Sequence, residues 1–303
     1  MKRKRDFLTL QDVSLKEINF ILKRSAELKA GKDINKCPLI GKSIGLLFEK
    51  ASTRTRVSFE VGIYQLGGQV LYMNPKEIQI GRGETIHDTA KVLSRYLDAV
   101  VIRTFNHDTI VEFASHASIP VINGLSDIHH PCQALADLMT VLEKKRRLPG
   151  IRFAYIGDGN NVANSLIEAA SLTGFDLAVA CPRGCEPDPI ILKNARASSK
   201  STIIILRDPI AAVSLADIVY TDVWVSMGQE KQASKKKQKF KGYQINSTLL
   251  SHAKKDAIVL HCMPAHRGEE ITDEVIDGPQ SVVFDQAENR LYTQKALLEF
   301  LLT

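Results

Sequence analysis

Short apolar runs rich in branched residues alternate with helical patterns along the whole chain, and this alternation limits the fold more than any other feature. Residues 43–48, 69–73, 99–103 and 119–123 in the first half read as strands. So do 151–156, 176–181, 202–206, 217–221, 257–261 and 281–285 in the second. Near-continuous apolar strands separated by helical segments are the signature of parallel sheets covered on both faces. Between the two sets, Leu135, Leu138, Met139 and Leu142 follow the i, i+3, i+4, i+7 spacing of a helix, basic residues 144–147 complement its carbonyl end, and Pro149-Gly150 stops it. A chain of 303 residues suits two domains at about 150 residues each. The expected fold is therefore α/β: two domains, each a parallel β-sheet flanked by helices, joined by interdomain helices near residues 131–150.

Charge argues against one large class of partner, with a polyanion-binding lysine run as the competing reading. Forty Lys and Arg against 34 Asp and Glu give a net charge of +6, and six lysines fall in one stretch: Lys231, Lys235, Lys236, Lys237, Lys239 and Lys241. Outside that stretch the charges cancel. A nucleic-acid binder would spread a basic stripe over a face, so a solvated loop is expected there and no nucleic-acid partner. The five cysteines, Cys37, Cys132, Cys181, Cys185 and Cys262, are odd in number and irregularly spaced, which speaks against a disulfide framework or a zinc finger. No run of 18 apolar residues is present, and the opening MKRKRDFLTL lacks the apolar stretch of an export signal. The expectation is a cytoplasmic protein with no membrane partner.

Candidate functional residues gather after strands. Ser52 is a natural N-cap after the 43–48 strand, and Thr53, Arg54 and Thr55 crowd the first turn of the helix that follows. Exposed helix N–H groups, hydroxyls and a guanidinium form an anion site. A capped helix with solvent-facing arginines is the competing reading; capping explains Ser52 but not the crowding. Gly157-Asp158-Gly159-Asn160-Asn161 resembles the start of a dinucleotide fingerprint, but Val162 stands where the third glycine belongs, which disfavours a nucleotide-dependent dehydrogenase. Arg103, Asp222 and His261-Cys262 lie at the carboxyl ends of strands, where open α/β sheets bind ligands. His130 and Gln133 sit where the first half enters the joining helix. The pair His129-His130 suggests no metal site, and His261 with Cys262 suggests no catalytic dyad, since neighbouring strand residues face opposite ways.

Taken together, these motifs resemble the aspartate/ornithine carbamoyltransferase family. The resemblance is carried by Ser52-Thr-Arg-Thr55, the run from Gly83 to Arg103, His130-Pro-Cys-Gln133, Gly157 to Asn161, Asp222-Val-Trp-Val-Ser-Met-Gly-Gln-Glu230 and His261-Cys-Met-Pro264, in the family's order over nearly the whole chain. It implies that Ser52, Thr53, Arg54 and Thr55, with Gln79 and Arg290, hold the phosphate of carbamoyl phosphate. Arg103, His130 and Gln133 would hold the carbamoyl group, and Cys262 and Met263 would lie beside it, with Pro264 cis. Arg103, His130 and Cys262 would be the catalytic residues.

On the acceptor side, the resemblance implies that Asn161, Asp222, Ser226 and Met227 hold L-ornithine. Met263 stands where many ornithine-specific members have leucine, a volume-conserving difference. Putrescine, N-acetylornithine and aspartate are the alternative acceptors; Asp222 and Ser226-Met227 argue for a free α-amino acid. The resemblance also implies a carbamoyl-phosphate-binding domain at 1–135, with a C-terminal helix of about 288–303 packed back on it, and an ornithine-binding domain at 150–287. It implies direct transfer with no covalent intermediate, no metal and no cofactor. The assembly implied is a homo-oligomer, a trimer, with the Gln79 region supplied across a subunit interface.

Overall fold

The computed structural model describes residues 4–33, 36–74, 83–198, 201–225 and 233–303. The chain divides into two units, Met1–Met139 with Glu288–Thr303, and Thr140–Ala287. The first boundary falls inside one helix and the last inside another, so each is a place where a single helix leaves one unit and enters the other.

The first unit runs α1 (Leu15–Lys29), β1 (Ser43–Phe48), α2 (Thr53–Gln65), β2 (Gln69–Met73), α3 (Ile86–Leu93), β3 (Ala99–Arg103), α4 (His107–His116), β4 (Val121–Leu125) and the start of α5 (Pro131–Lys145). Its sheet is parallel throughout, in the order β2-β1-β3-β4. β3 and β4 are buried at every residue, as the unbroken apolar runs require, while the edge strand β2 is not. Leu47, Val100, Ile102, Ile110 and Phe113 centre the core on one side of the sheet.

β4 begins two residues later than the sequence pattern predicts. Pro120 has no N–H to give and serves only as an acceptor, taking Val100 N at 3.0 Å. The β3–β4 register then skips a residue, Ile102 facing Asn123 but Arg103 facing Leu125. Such a bulge re-aims the side chain beside it, here Arg103. Gly124 occupies the skipped position, and a Cβ there would meet Val101 Cγ1 at 3.2 Å and Ile102 O at 3.3 Å.

The second unit runs β5 (Arg152–Ile156), α6 (Asn161–Thr173), β6 (Asp176–Ala180), α7 (Pro189–Ser198), β7 (Ile203–Leu206), α8 (Pro209–Val213), β8 (Ile218–Thr221), α9 (Ala233–Lys239), α10 (Ser247–Leu250), β9 (Ile258–His261) and α11 (Asp273–Ile276). α12 (Val283–Leu302) then carries the chain back to the first unit's residues. The sheet is again parallel, in the order β7-β6-β5-β8-β9. Phe153 and Phe175 pack with ring centroids 4.3 Å apart, and Tyr155 and Tyr220 with centroids 5.8 Å apart.

Two expectations fail here. Residues 281–285 are not a strand: Ser281 makes one isolated bridge to Val259, Val282 N donates to Val259 O at 3.1 Å, and α12 begins at Val283. A short branched run fits either element, and the tertiary context chose the helix. The lysine stretch is not a loop throughout, because Ala233–Lys239 is helical. Lys236 pairs with Asp158 at 2.5 Å and Lys237 with Glu269 at 2.5 Å, so two of its charges are locally compensated.

In each unit the strand order reverses at one place, between β1 and β3 in the first sheet and between β5 and β8 in the second. Open α/β sheets bind ligands beyond the carboxyl ends of the strands at such reversals.

Candidate active site

At the reversal of the first sheet, β1 hands over to α2 through Ser52. Ser52 has an extended backbone, φ −162°, and its hydroxyl accepts from Thr55 N at 3.1 Å. No acidic residue occupies the first turn of α2, so the positive end of the helix dipole is uncompensated there. Two guanidinium groups converge on the Thr55 hydroxyl: Arg103 Nη1 donates from 3.4 Å and Arg290 Nη2 from 3.2 Å. Arg290 Nη1 also donates to Gln133 Oε1 at 2.7 Å, and Gln133 Nε2 donates to Asp137 Oδ1 at 2.9 Å. Thr55, Arg103, Gln133 and Arg290 are all buried, so this is a fixed arrangement of donors.

Lys50 is a residue that the sequence reading missed. Its side chain is buried, with Nζ 5.1 Å from the centre of the Phe105 ring. Glu49 ties the same turn to the end of β3: its N donates to Arg103 O at 2.8 Å, and its carboxylate accepts from Phe105 N at 3.3 Å and from the Thr104 hydroxyl. A signal was available, since Lys50 lies two residues before the N-cap. A lone lysine after a strand nevertheless reads as a surface residue.

His130 precedes α5 and is buried. Burial first, and then the nearby cations Arg290, Arg103, Lys50 and Arg54, hold its imidazole well below the usual histidine range. It is therefore a neutral ring at pH 7, able to donate one hydrogen bond without carrying charge. Cys132, two residues on, is pushed up to about 12 by burial and has no thiolate character.

At the reversal of the second sheet, the turn after β5 meets the end of β8. Asn160 caps α6, its Oδ1 accepting from Val162 N at 3.0 Å, Ala163 N at 3.3 Å and Tyr155 Oη at 3.2 Å. Its amide then donates to Asp222 Oδ2 at 2.7 Å, and Cys262 Sγ donates to Asp222 Oδ1 at 2.9 Å. Asp222 is thus held from both sides with its carboxylate oriented. Asn160 makes this link, while the expected acceptor residue Asn161 is the first residue of α6 and is buried.

Cys262 follows β9 directly and does not pair with His261. Both ring nitrogens of His261 are engaged elsewhere, Nδ1 with Met263 N at 2.9 Å and Nε2 with Glu270 Oε1 at 3.0 Å. Asp222, His261 and Cys262 offer ligand atoms within 4.8 Å of one another, but a metal ion would have to displace these hydrogen bonds. Met263 has a left-handed backbone, φ 58°, and the Met263–Pro264 peptide is cis.

The structure thus brings Ser52, Thr55, Arg103, His130, Gln133 and Arg290 into the first unit's site, with Thr53 exposed and Arg54 half-buried on the same helix turn. It brings Asp222 and Cys262 together in the second. Gln79, Ser226 and Met227 lie outside the described residues.

Comparison with known proteins matches the chain in two parts. A family model described as the carbamoyl-P binding domain of aspartate/ornithine carbamoyltransferase matches residues 5–143, and one described as its Asp/Orn binding domain matches residues 149–301. The chain is 52% identical over 301 residues to an ornithine carbamoyltransferase of Syntrophus aciditrophicus, covering 99% of this chain and 100% of the relative. It is 54% identical over 299 residues to that of Thermococcus kodakarensis, covering 97% and 95%. Among solved structures, ornithine carbamoyltransferase from Pyrococcus furiosus superposes with a TM-score of 0.93 at 50% identity, covering 98% and 97% of the two chains. An anabolic ornithine carbamoyltransferase from Campylobacter jejuni gives 0.93 at 41% identity, covering 98% of each.

Proposed function

The chain belongs to the aspartate/ornithine carbamoyltransferase family, and from that membership we propose how its residues move the carbamoyl group of carbamoyl phosphate to the δ-amine of L-ornithine, giving L-citrulline and phosphate. The observation that carries the reading is the convergence of Arg103 and Arg290 on Thr55 at the capped start of α2. Ser52, Thr53, Arg54 and Thr55 offer helix N–H groups, hydroxyls and a guanidinium to a phosphate dianion, and Arg290 adds a second guanidinium. Gln79 is assigned to the same group on the sequence resemblance alone.

The leaving phosphate and the carbonyl oxygen both gain negative charge as the carbamoyl carbon is attacked. Donors already aimed at those atoms bind the transition state more tightly than the ground state. Arg103 and neutral His130 donate to the carbonyl oxygen, and Gln133, oriented by Arg290 and Asp137, holds the carbamoyl amide. A neutral imidazole suits this task, since it gives a hydrogen bond without repelling the surrounding cations.

On the acceptor side Asp222 takes the α-ammonium group of ornithine. Asn161, Ser226 and Met227 complete that contact in this proposal, and Cys262 and Met263 flank the attacking δ-amine. The neutral amine attacks the carbamoyl carbon directly, the C–O bond to phosphate breaks, and the amine's proton leaves with the departing phosphate, so the step needs no covalent intermediate on the protein. Holding both reactants removes the entropy of their encounter.

We propose further that the chain works as a homotrimer in the cytoplasm, in arginine biosynthesis or in the reverse, catabolic direction. The sequence resemblance supports the assembly, and five cysteines without a disulfide support a reducing compartment. Among the described residues, no helix is long and apolar enough to cross a membrane.

The test is phosphate release from carbamoyl phosphate with ornithine, putrescine, N-acetylornithine or aspartate, with citrulline detected directly. A strong preference for ornithine is expected. Preference for another amine would overturn the roles given to Asp222, Ser226 and Met227 while leaving the phosphate half standing.

A further inference from the structure

The hydrogen bonds around Asp222 end in an ion pair that the proposed reaction does not use. Lys236 on α9 places Nζ 2.5 Å from Asp158 Oδ2, with side chains only 17% and 10% exposed. Asp158 lies in the same turn as Asn160, whose amide holds Asp222 at 2.7 Å. The turn has little freedom on its other side: Gly159 N donates to Cys185 O at 2.9 Å, and a Cβ on Gly159 would fall 2.1 Å from Pro187 N.

The charges make Lys236 matter. Burial first, and then the Asp222 carboxylate, favour the neutral form of Asp158, whereas Lys236 and, more weakly, Lys239 favour the charged one. A buried carboxylate that loses its cation must take a proton or seek water, and either changes where its turn sits. α9 is itself anchored, because Phe240, which follows it, is fully buried and stacks on Trp224 with centroids 5.4 Å apart. Lys237 is taken up by Glu269 at 2.5 Å.

We propose that Lys236 is a positioning residue for the amino-acid acceptor: its ion pair with Asp158 fixes the turn that carries Asn160, and Asn160 in turn fixes the Asp222 carboxylate. This rests on the acceptor role given to Asp222 and extends it to Lys236 and Asp158, neither of which needs to touch the substrate.

The experiment is steady-state kinetics on the full chain, varying ornithine and carbamoyl phosphate separately. Lys236→Met raises KM for ornithine about ten- to a hundredfold, the range expected when a supporting contact behind a binding group is lost. KM for carbamoyl phosphate stays within about twofold, as expected for an independent site. Lys236→Arg, which keeps charge and donor, restores the ornithine KM. In an Asp158→Asn background Lys236→Met adds little further. Lys235→Met, at an exposed neighbour, is the control.

An unchanged ornithine KM in Lys236→Met, an equal rise in both KM values, or additivity with Asp158→Asn would each overturn the proposal. If the wild-type chain forms no citrulline, the acceptor reading falls and this proposal with it. If wild type forms citrulline and Lys236→Met matches it, only the proposal falls.

Discussion

Arg290→Met is the substitution whose cost the structure defines most sharply. The wild-type guanidinium donates to Gln133 Oε1 at 2.7 Å and to Thr55 Oγ1 at 3.2 Å, linking α12, α5 and α2 within one unit. Gln294, one turn further along α12, accepts from Arg290 Nε at 3.2 Å when its amide is oriented as its neighbours require. Methionine keeps the apolar stem and removes all of these. A hydrogen bond to a charged group is worth about 1.5–3 kcal/mol, so losing one such bond to phosphate corresponds to about a tenfold to 150-fold rise in KM for carbamoyl phosphate. Gln133, only 2% exposed, also loses a donor to its carbonyl oxygen, at a further cost of about 1–3 kcal/mol shared between binding and folding.

Arg290→Lys restores the charge but not the planar fork that reaches two acceptors at once, so it recovers only part of the loss. The assay is phosphate release against carbamoyl phosphate at saturating ornithine, with a thermal melt in the presence and absence of inorganic phosphate. In the methionine variant the stabilisation by phosphate shrinks together with affinity. A KM for carbamoyl phosphate unchanged in Arg290→Met would refute the reasoning, and so would complete rescue by lysine, which would reduce Arg290 to a point charge.

Other consequences are as direct. Since His130 is neutral well below pH 6.5, the pH dependence of kcat/KM for ornithine belongs to the substrate amine; with a free pKa of about 10.4 it rises about tenfold per unit from pH 6 to 8. A limb near pH 6.5 that disappears in His130→Asn would contradict this. Burial pushes Cys132 up to about 12 and Cys181 up to about 11, leaving almost no thiolate at pH 8.5, while Cys37 is exposed. Alkylation followed by mass spectrometry is expected to label Cys37 in the native chain and the two buried thiols only after unfolding; early labelling of Cys132 would sink the assignment. Gly159→Ala sets a Cβ against the backbone of Pro187 and is expected to destabilise by about 1–3 kcal/mol, read as a lowered Tm with a raised ornithine KM. An unchanged Tm would show that the turn can move aside.

Much of this protein was legible locally. The strand limits 43–48, 69–73 and 99–103 follow from apolar runs alone, and Ser52 declares the start of α2 because an N-cap hydroxyl meets its own helix within three residues. Placement of Arg103 and Asp222 at strand ends follows from the same pattern. Where two local readings were nearly equal, the sequence misled: 281–285 carries a strand's composition, yet its pairing stops after one bridge and a helix begins.

Other features depended on partners far away along the chain. Lys50 looks like a surface lysine until Phe105 covers it, and part of the lysine stretch looks solvated until Asp158 and Glu269 meet it. The sequence by itself determined which short segments become strands and helices and which residues stand at their ends, because those preferences act over a few residues. The meeting of Thr55, Gln133 and Arg290, up to 235 residues apart, was decided only by the tertiary structure. Only the order in which strands pair, and the burial that removes competing water, turn separate polar side chains into one fixed set of donors.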